Sequence, residues 1–267
     1  MDQYLIAVIV GIVEGLTEFL PVSSTGHMII VGHVLGFDGP VADVFDVFVQ
    51  LGAILSVIFI YKERFARFFT KDGWNMHKGL SVWHIAAGIV PVMAVAYFLY
   101  PFIKKYLFSP FTVAIGLALG GLLLIIAERL TKGKEAELVD DVDKITMKQA
   151  IWVGIYQFLS LWPGFSRSGS TIAGGLLVGL SRQAAANYTF LIAVPLMFVA
   201  CLYDLLKNIN NLSTDDLTVL GIGFVVSFIV AYWSVLWFLK FLHKYDLTSF
   251  AWYRIILAGI TYWYFYL

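Results

Sequence analysis

A chain of 267 residues that is 60% hydrophobic and only 13% charged cannot hide its apolar surface in a water-soluble globule, because soluble domains are nearer half apolar and a quarter charged. A mean hydropathy of +0.83 makes lipid the solvent for much of it. Basic and acidic side chains number 18 each, so no basic bias points to nucleic acid, and the single cysteine, Cys201, excludes an intrachain disulfide. Cys201 lies in an apolar run without metal-ligand companions and reads as a small structural hydrophobe.

The first apolar region runs from about 4 to 36 and is interrupted by PVSSTGH (21–27). It opens on Asp2 rather than a basic cluster and contains Glu14 and Glu18, so it does not read as a cleaved signal peptide. Each arm is short for a crossing of roughly 20 residues. Broken backbone at membrane depth survives only where protein or a wet cavity covers it, which predicts a re-entrant helix–loop–helix hairpin. Two thin full spans would give the same topological parity. Three full spans follow, near 42–61, 82–101 and 111–129. The most polar stretch, KGKEAELVDDVDKITMK (132–148), reads as a linker with solvated charges. A second interrupted region, about 147–180, is broken by PGFSRSGST (163–171) and precedes spans near 184–203, 217–239 and 250–267.

The interrupted regions resemble each other: VGIVEGLTEFLPVSSTGH (10–27) against VGIYQFLSLWPGFSRSG (153–169), with one insertion near the prolines. A hairpin plus three crossings is an odd number of crossings, so the second copy sits upside down. The expected architecture is an all-α polytopic membrane protein with an inverted-topology repeat. Residues 1–131 form one repeat, 132–146 a cytoplasmic linker and 147–267 the other, with six full spans and two hairpins. Thirteen Lys and Arg fall on the face carrying loops 62–80 and 129–148, against Lys104, Lys105 and Lys207 on the other, leaving out Arg167 in the second hairpin and Arg254 at a span edge. The positive-inside rule puts the thirteen in the cytoplasm. Both termini then face outward, and the polar tips of the two hairpins can meet near the midplane.

Glu14 and Glu18 share a helix face one turn before the first tip. Carboxylates in a membrane segment are costly and usually face the bundle interior. The plain reading is a pair neutralised by protonation or a buried base. The functional one is a divalent-cation site that also bridges phosphate. Ser23, Ser24 and Thr25 precede a helix expected to start near Gly26; they can simply cap it, or help a helix N-terminus bind an anion. His27 is a candidate acid, base or phosphoryl acceptor. In the second tip Arg167 stands among Ser166, Ser168, Ser170 and Thr171, with Gly164 and Gly169 easing the turn. Its fork suits a phosphate; a structural ion pair with Glu14 or Glu18 is the plain alternative. This inventory describes a phosphoryl-transfer pocket without a nucleotide cradle. Asp46 and Gln50 are secondary candidates for the pocket mouth. Asn187 and Thr189 read as helix–helix contacts, Gln157 as an echo of Glu14, and Trp252 with Tyr262–Tyr266 as interface belts.

The stretches EGLTEFLPVSSTGH (14–27) and LWPGFSRSGSTI (161–172) resemble the two signature motifs of the bacterial undecaprenyl pyrophosphate phosphatases, the bacitracin-resistance family, and the resemblance covers essentially the whole chain. The family's E/Q-x-x-x-E pattern falls on Glu14 and Glu18, its serine on Ser24 and its histidine on His27. Its P-G-x-S-R-S-x-x-T pattern falls on Pro163, Gly164, Ser166, Arg167, Ser168 and Thr171. The resemblance implies an inner-membrane enzyme that converts undecaprenyl pyrophosphate to undecaprenyl phosphate, the carrier lipid recycled for peptidoglycan synthesis. It also implies protection against bacitracin, support by Mg2+ or Ca2+, and a pocket open to the periplasm. Expected roles are catalysis by His27, Ser24, Glu18 and Arg167, and metal binding by Glu14 and Glu18. Ser23, Thr25, Gly26, Ser166, Arg167, Ser168, Gly169 and Thr171 are expected to bind pyrophosphate. The attacker is left open among Ser24, His27 and water. A homodimer is compatible with the sequence. The competing class is a secondary transporter or lipid flippase built on the same repeat, which would need no histidine–serine–carboxylate cluster.

Overall fold

Both interruptions become sharp breaks between short helices. The computed structural model describes residues 2–37, 40–208 and 214–267. The first broken region folds as α1 (Gln3–Thr17) and α2 (Ser24–Leu35). Asp2 starts α1 by accepting from the Tyr4 N–H at 3.2 Å, and left-handed Gly36 (φ 62°) ends α2. The second region folds as α7 (Met147–Gln157), a 3-10 turn at Phe158–Leu161, and α8 (Arg167–Leu177). Thr146 and Gln149 form a reciprocal cap that opens α7.

Between the hairpins lie α3 (Pro40–Ile60), α4 (Lys62–Phe68), α5 (Val82–Tyr106) and α6 (Pro110–Thr131). After the second come α9 (Arg182–Asn208), α10 (Thr214–Leu242) and α11 (Thr248–Tyr266). These helices cover all six stretches expected to be full spans. Among the described residues, four are long and apolar enough to cross a membrane: Val82–Leu99, Pro110–Thr131, Arg182–Tyr203 and Leu217–Leu242. Val44–Ile60, bent by 85° into α4, gives a fifth. α11 is not among them; Arg254 and its tyrosines dilute its apolar character. Among the described residues the only β pairing is an isolated bridge, Val139 with Leu180.

Each hairpin packs against a long helix from the other half: α1 against α10, and α7 against α5. Glycines permit it. A Cβ on Gly11 or Gly15 would lie 2.8 Å from the Gly223 or Ser227 carbonyl, and one on Gly154 would lie 2.8 Å from that of Ala87. Close backbone approach of this kind substitutes for the hydrophobic drive that lipid removes. α3 packs on α9 and α10, and α6 on α11. Large apolar side chains such as Phe98, Tyr97 and Trp233 point outward, as a lipid-facing surface requires, and Trp252 and Trp263 are exposed as well.

The linker is not merely solvated, which corrects the expectation for its charges. Asp143 takes hydrogen bonds from Arg64 at 2.8 Å, Arg67 at 3.3 Å and the Leu80 N–H at 3.0 Å, and Asp140 accepts from Ser181 at 2.6 Å. These contacts staple the segment onto α4, the loop after it and the residue that precedes α9.

Candidate active site

The two tips are built alike. Ser23 (φ 72°) and Ser166 (φ 71°) are the only non-glycine residues of positive φ among the described residues. A side chain in that region is strained and persists only where surroundings hold it. Each serine caps the helix after it: Ser23 Oγ accepts from the Gly26 N–H at 3.3 Å, and Ser166 Oγ from the Gly169 N–H at 3.1 Å. α2 therefore begins at Ser24, two residues before the expected start, and Ser24 and Thr25 are released from capping.

Arg167 with Glu18 and Ser168 with Leu20 join the tips directly, and Glu18 extends the first contact to Ser24. Arg167 Nη2 lies 2.8 Å from Glu18 Oε1, Glu18 Oε2 accepts from Ser24 Oγ at 2.5 Å, and Ser168 Oγ donates to the Leu20 carbonyl at 2.7 Å. Side-chain exposure of 12% for Arg167 and 8% for Glu18 makes this a buried pair. The Phe19 ring lies 5.5 Å from the Arg167 guanidinium carbon. Arg167 Nη1 reaches the Thr189 carbonyl only at 3.4 Å, and Nε is buried with no partner. The ion pair offered as the plain reading of Arg167 thus exists, yet it leaves donors unspent.

A cavity of about 160 Å³ lies between the tips, roughly ten times the ~15 Å³ that one water needs. The first tip lines it with Glu18, Ser23, Ser24 and Thr25, and the second with Gly164, Ser166 and Arg167. Gln50 of α3 and Met197 of α9 close it, and Gln50 accepts from buried Cys201 at 3.5 Å.

Other expected residues lie elsewhere. His27 turns away from Ser24: Nδ1 bonds the Ser23 carbonyl at 2.8 Å, and Nε2 bonds Tyr253 Oη at 2.6 Å with the rings stacked. Thr171 is fully buried, donating to the Arg167 carbonyl at 2.8 Å and accepting from Thr189 at 2.9 Å. Gly26 faces Leu117, and Gly169 faces the Arg254 guanidinium. Ser168 spends its hydroxyl on Leu20. Glu14 is fully buried, neither of its oxygens has a partner, and it does not line the cavity. It lies within electrostatic reach of Glu18, Asp46 and Arg167. Asn187 accepts from Tyr61 at 2.5 Å, and Gln157 donates to the Gly88 carbonyl at 3.2 Å, both joining helices.

Tyr253 and Arg254 are the residues that sequence reasoning passed over. Arg254, expected at a span edge, is fully buried inside the bundle. The signal was present: an arginine inside an apolar run, with no acid within a helical turn.

The sequence model of the bacitracin resistance protein BacA family matches residues 7–260. A Bacillus cereus protein named undecaprenyl-diphosphatase 1 is 46% identical over 259 residues, 97% of each chain. A Solidesulfovibrio magneticus protein named undecaprenyl-diphosphatase is 45% identical over 265 residues, 99% of each chain.

Proposed function

The chain belongs to the bacitracin resistance protein BacA family, and from that membership we propose that it hydrolyses undecaprenyl pyrophosphate to undecaprenyl phosphate and inorganic phosphate. Such an activity recycles the carrier lipid for peptidoglycan synthesis and protects against bacitracin. The observation that carries the chemistry is the relay Arg167–Glu18–Ser24 across the two tips.

In this reading Ser24 Oγ attacks the terminal phosphorus while Glu18 accepts its proton. The bond from that phosphorus to the bridging oxygen breaks, and the lipid monophosphate leaves with the bridging oxygen and the proton that Glu18 took, which restores the Glu18 carboxylate. Water then attacks the phosphorus of phosphoserine 24 and gives a proton to Glu18; the phosphorus–Oγ bond breaks, Glu18 passes that proton to Ser24 Oγ, and inorganic phosphate leaves. Arg167 holds the terminal phosphoryl group with donors that the Glu18 pair leaves unspent, and the first-turn N–H groups of α2 and α8 face the same charge. His27 and Tyr253 support the Ser23 end of the tip rather than the proton transfer.

A divalent cation fits the donor set in one respect: the orphaned Glu14 carboxylate beside Glu18 lacks any other partner. Among the described residues, no group of three or more His, Cys, Asp or Glu could hold a metal by itself. Glu14 and Glu18 would therefore be the residues to hold Mg2+ or Ca2+, and the ion would supply positive charge that neutralises the diphosphate.

The topology we infer is the inverted repeat with two re-entrant hairpins, in the bacterial inner membrane. Both termini and the cavity mouth face the periplasm. The matching positive-φ serines, the reciprocal packing of α1 on α10 and α7 on α5, and the thirteen-to-three split of basic residues support it.

The test is phosphate release from a polyprenyl pyrophosphate by purified protein in detergent, without any gradient, with and without chelator. Turnover that chelation suppresses is expected. No turnover in either condition would refute the phosphatase reading.

A further inference from the structure

Arg254 has the largest fully buried side chain among the described residues. Its charge sits in an apolar bundle, yet every acceptor it meets is a backbone carbonyl. Nη1 reaches Pro21 O at 3.5 Å; Nη2 reaches Gly116 O at 3.4 Å, Gly164 O at 3.1 Å and Phe165 O at 2.5 Å. A buried cation without a carboxylate is expensive, so its surroundings are built for it. Room for the fork comes from glycine: a Cβ on Gly169 would lie 2.6 Å from Nη1, and one on Gly120 would collide with Nη2.

Where those carbonyls lie gives the arginine a purpose. Pro21 stands two residues before Ser23, and Gly164 and Phe165 stand immediately before Ser166. These are the two serines held at positive φ at the start of α2 and α8. One guanidinium, which does not itself line the cavity, therefore bonds both tips at the peptides that lead into the cavity-lining serines. The Ser168 hydroxyl on Leu20 is the other tie between the tips away from the cavity.

We propose that Arg254 is a positioning residue for the reaction: from outside the cavity lining it braces both strained tips and holds Ser24 and Arg167 in register without touching substrate. This rests on the phosphatase reading above. It also reassigns Gly169, expected to bind pyrophosphate, as the gap through which the fork passes. Lysine would keep the charge but cannot span carbonyls on two tips, because its donors radiate from one point.

The experiment measures kcat and KM for undecaprenyl pyrophosphate in Arg254→Lys, Arg254→Met and Gly169→Ala, with helix content and elution volume alongside. Misplacing reacting groups by about an ångström costs on the order of 100-fold. The expected result is a kcat loss of that order in Arg254→Met, partial recovery in Arg254→Lys, and KM within about threefold of wild type throughout. Gly169→Ala should lower kcat alone and add little to Arg254→Met, because the residue it crowds is already gone. Unchanged kcat in folded Arg254→Met, or a rise in KM without a kcat loss, overturns the proposal. So does failure of every variant to fold, which would leave Arg254 a packing residue. A wild-type protein that releases no phosphate refutes the phosphatase reading and this proposal with it. An active wild type with an unaffected Arg254→Met refutes only this one.

Discussion

Glu18→Gln separates the relay from a merely structural ion pair. Glu18 makes two short contacts in a site 9% exposed: one oxygen to Arg167 at 2.8 Å, the other to Ser24 at 2.5 Å. The amide keeps the volume and one acceptor but loses the charge and the ability to take a proton. Loss of a general base lowers rate ~10²–10⁴-fold, which is about 2.7–5.5 kcal/mol on the barrier. Removing one partner of a buried pair costs about 3–5 kcal/mol of stability. The retained acceptor and the relief of negative charge beside Glu14 bring this down to about 1–3 kcal/mol. The rate effect should therefore exceed the stability effect. Phosphate release at saturating substrate and thermal unfolding in detergent measure the two. A Glu18→Gln protein with more than a tenth of wild-type turnover would refute Glu18 as the base.

Glu14→Gln should raise the divalent-cation concentration needed for half-maximal turnover, with activity recovering at high cation; an unchanged requirement would remove Glu14 from the cation site. Gly15→Ala pushes a Cβ to 2.8 Å from the Ser227 carbonyl and the Val230 Cβ. Its expected cost is about 1–3 kcal/mol of stability, together with reduced turnover because Gly15 lies between the two glutamates, and unfolding and phosphate release read both. Burial raises the Asp143 carboxyl, but hydrogen bonds from Arg64 and the Leu80 N–H and the Arg64 and Arg67 charges outweigh it, leaving the carboxyl below its ordinary 3.8. A depressed carboxyl stabilises the fold above its unfolded value and loses that contribution as pH falls through the folded one. Asp143→Asn should thus cost about 1 kcal/mol or less at neutral pH, and the gap to wild type should close below pH 3.8 in unfolding measured across pH.

What could be read in advance followed from local chemistry. Proline beside small polar residues in an apolar run marked both tips, because such backbone needs cover at membrane depth. Glu18, Ser24 and Arg167 were identifiable as groups too polar for lipid. Their partners were not, since Arg167 and Glu18 are 149 positions apart and no local pattern sets which face meets which. His27 shows the limit: it read as an acid, base or phosphoryl acceptor, yet its Nε2 bonds Tyr253, 226 positions away, a partner no local pattern announces. Gly169 and Thr171 lay within a phosphate-like motif, yet one clears space for Arg254 and the other bonds the backbone of its own helix. Arg254 was read as lying at a span edge and left out of the charge count, because no local pattern shows that it faces the carbonyls of two distant tips.

The most direct measurement quenches turnover of undecaprenyl pyrophosphate labelled in its terminal phosphate and maps any protein-bound label by mass spectrometry. Phosphate is expected on Ser24 and should be absent from Ser24→Ala. Label on His27, or released phosphate formed by direct attack of water with no phosphorylated protein, would contradict it.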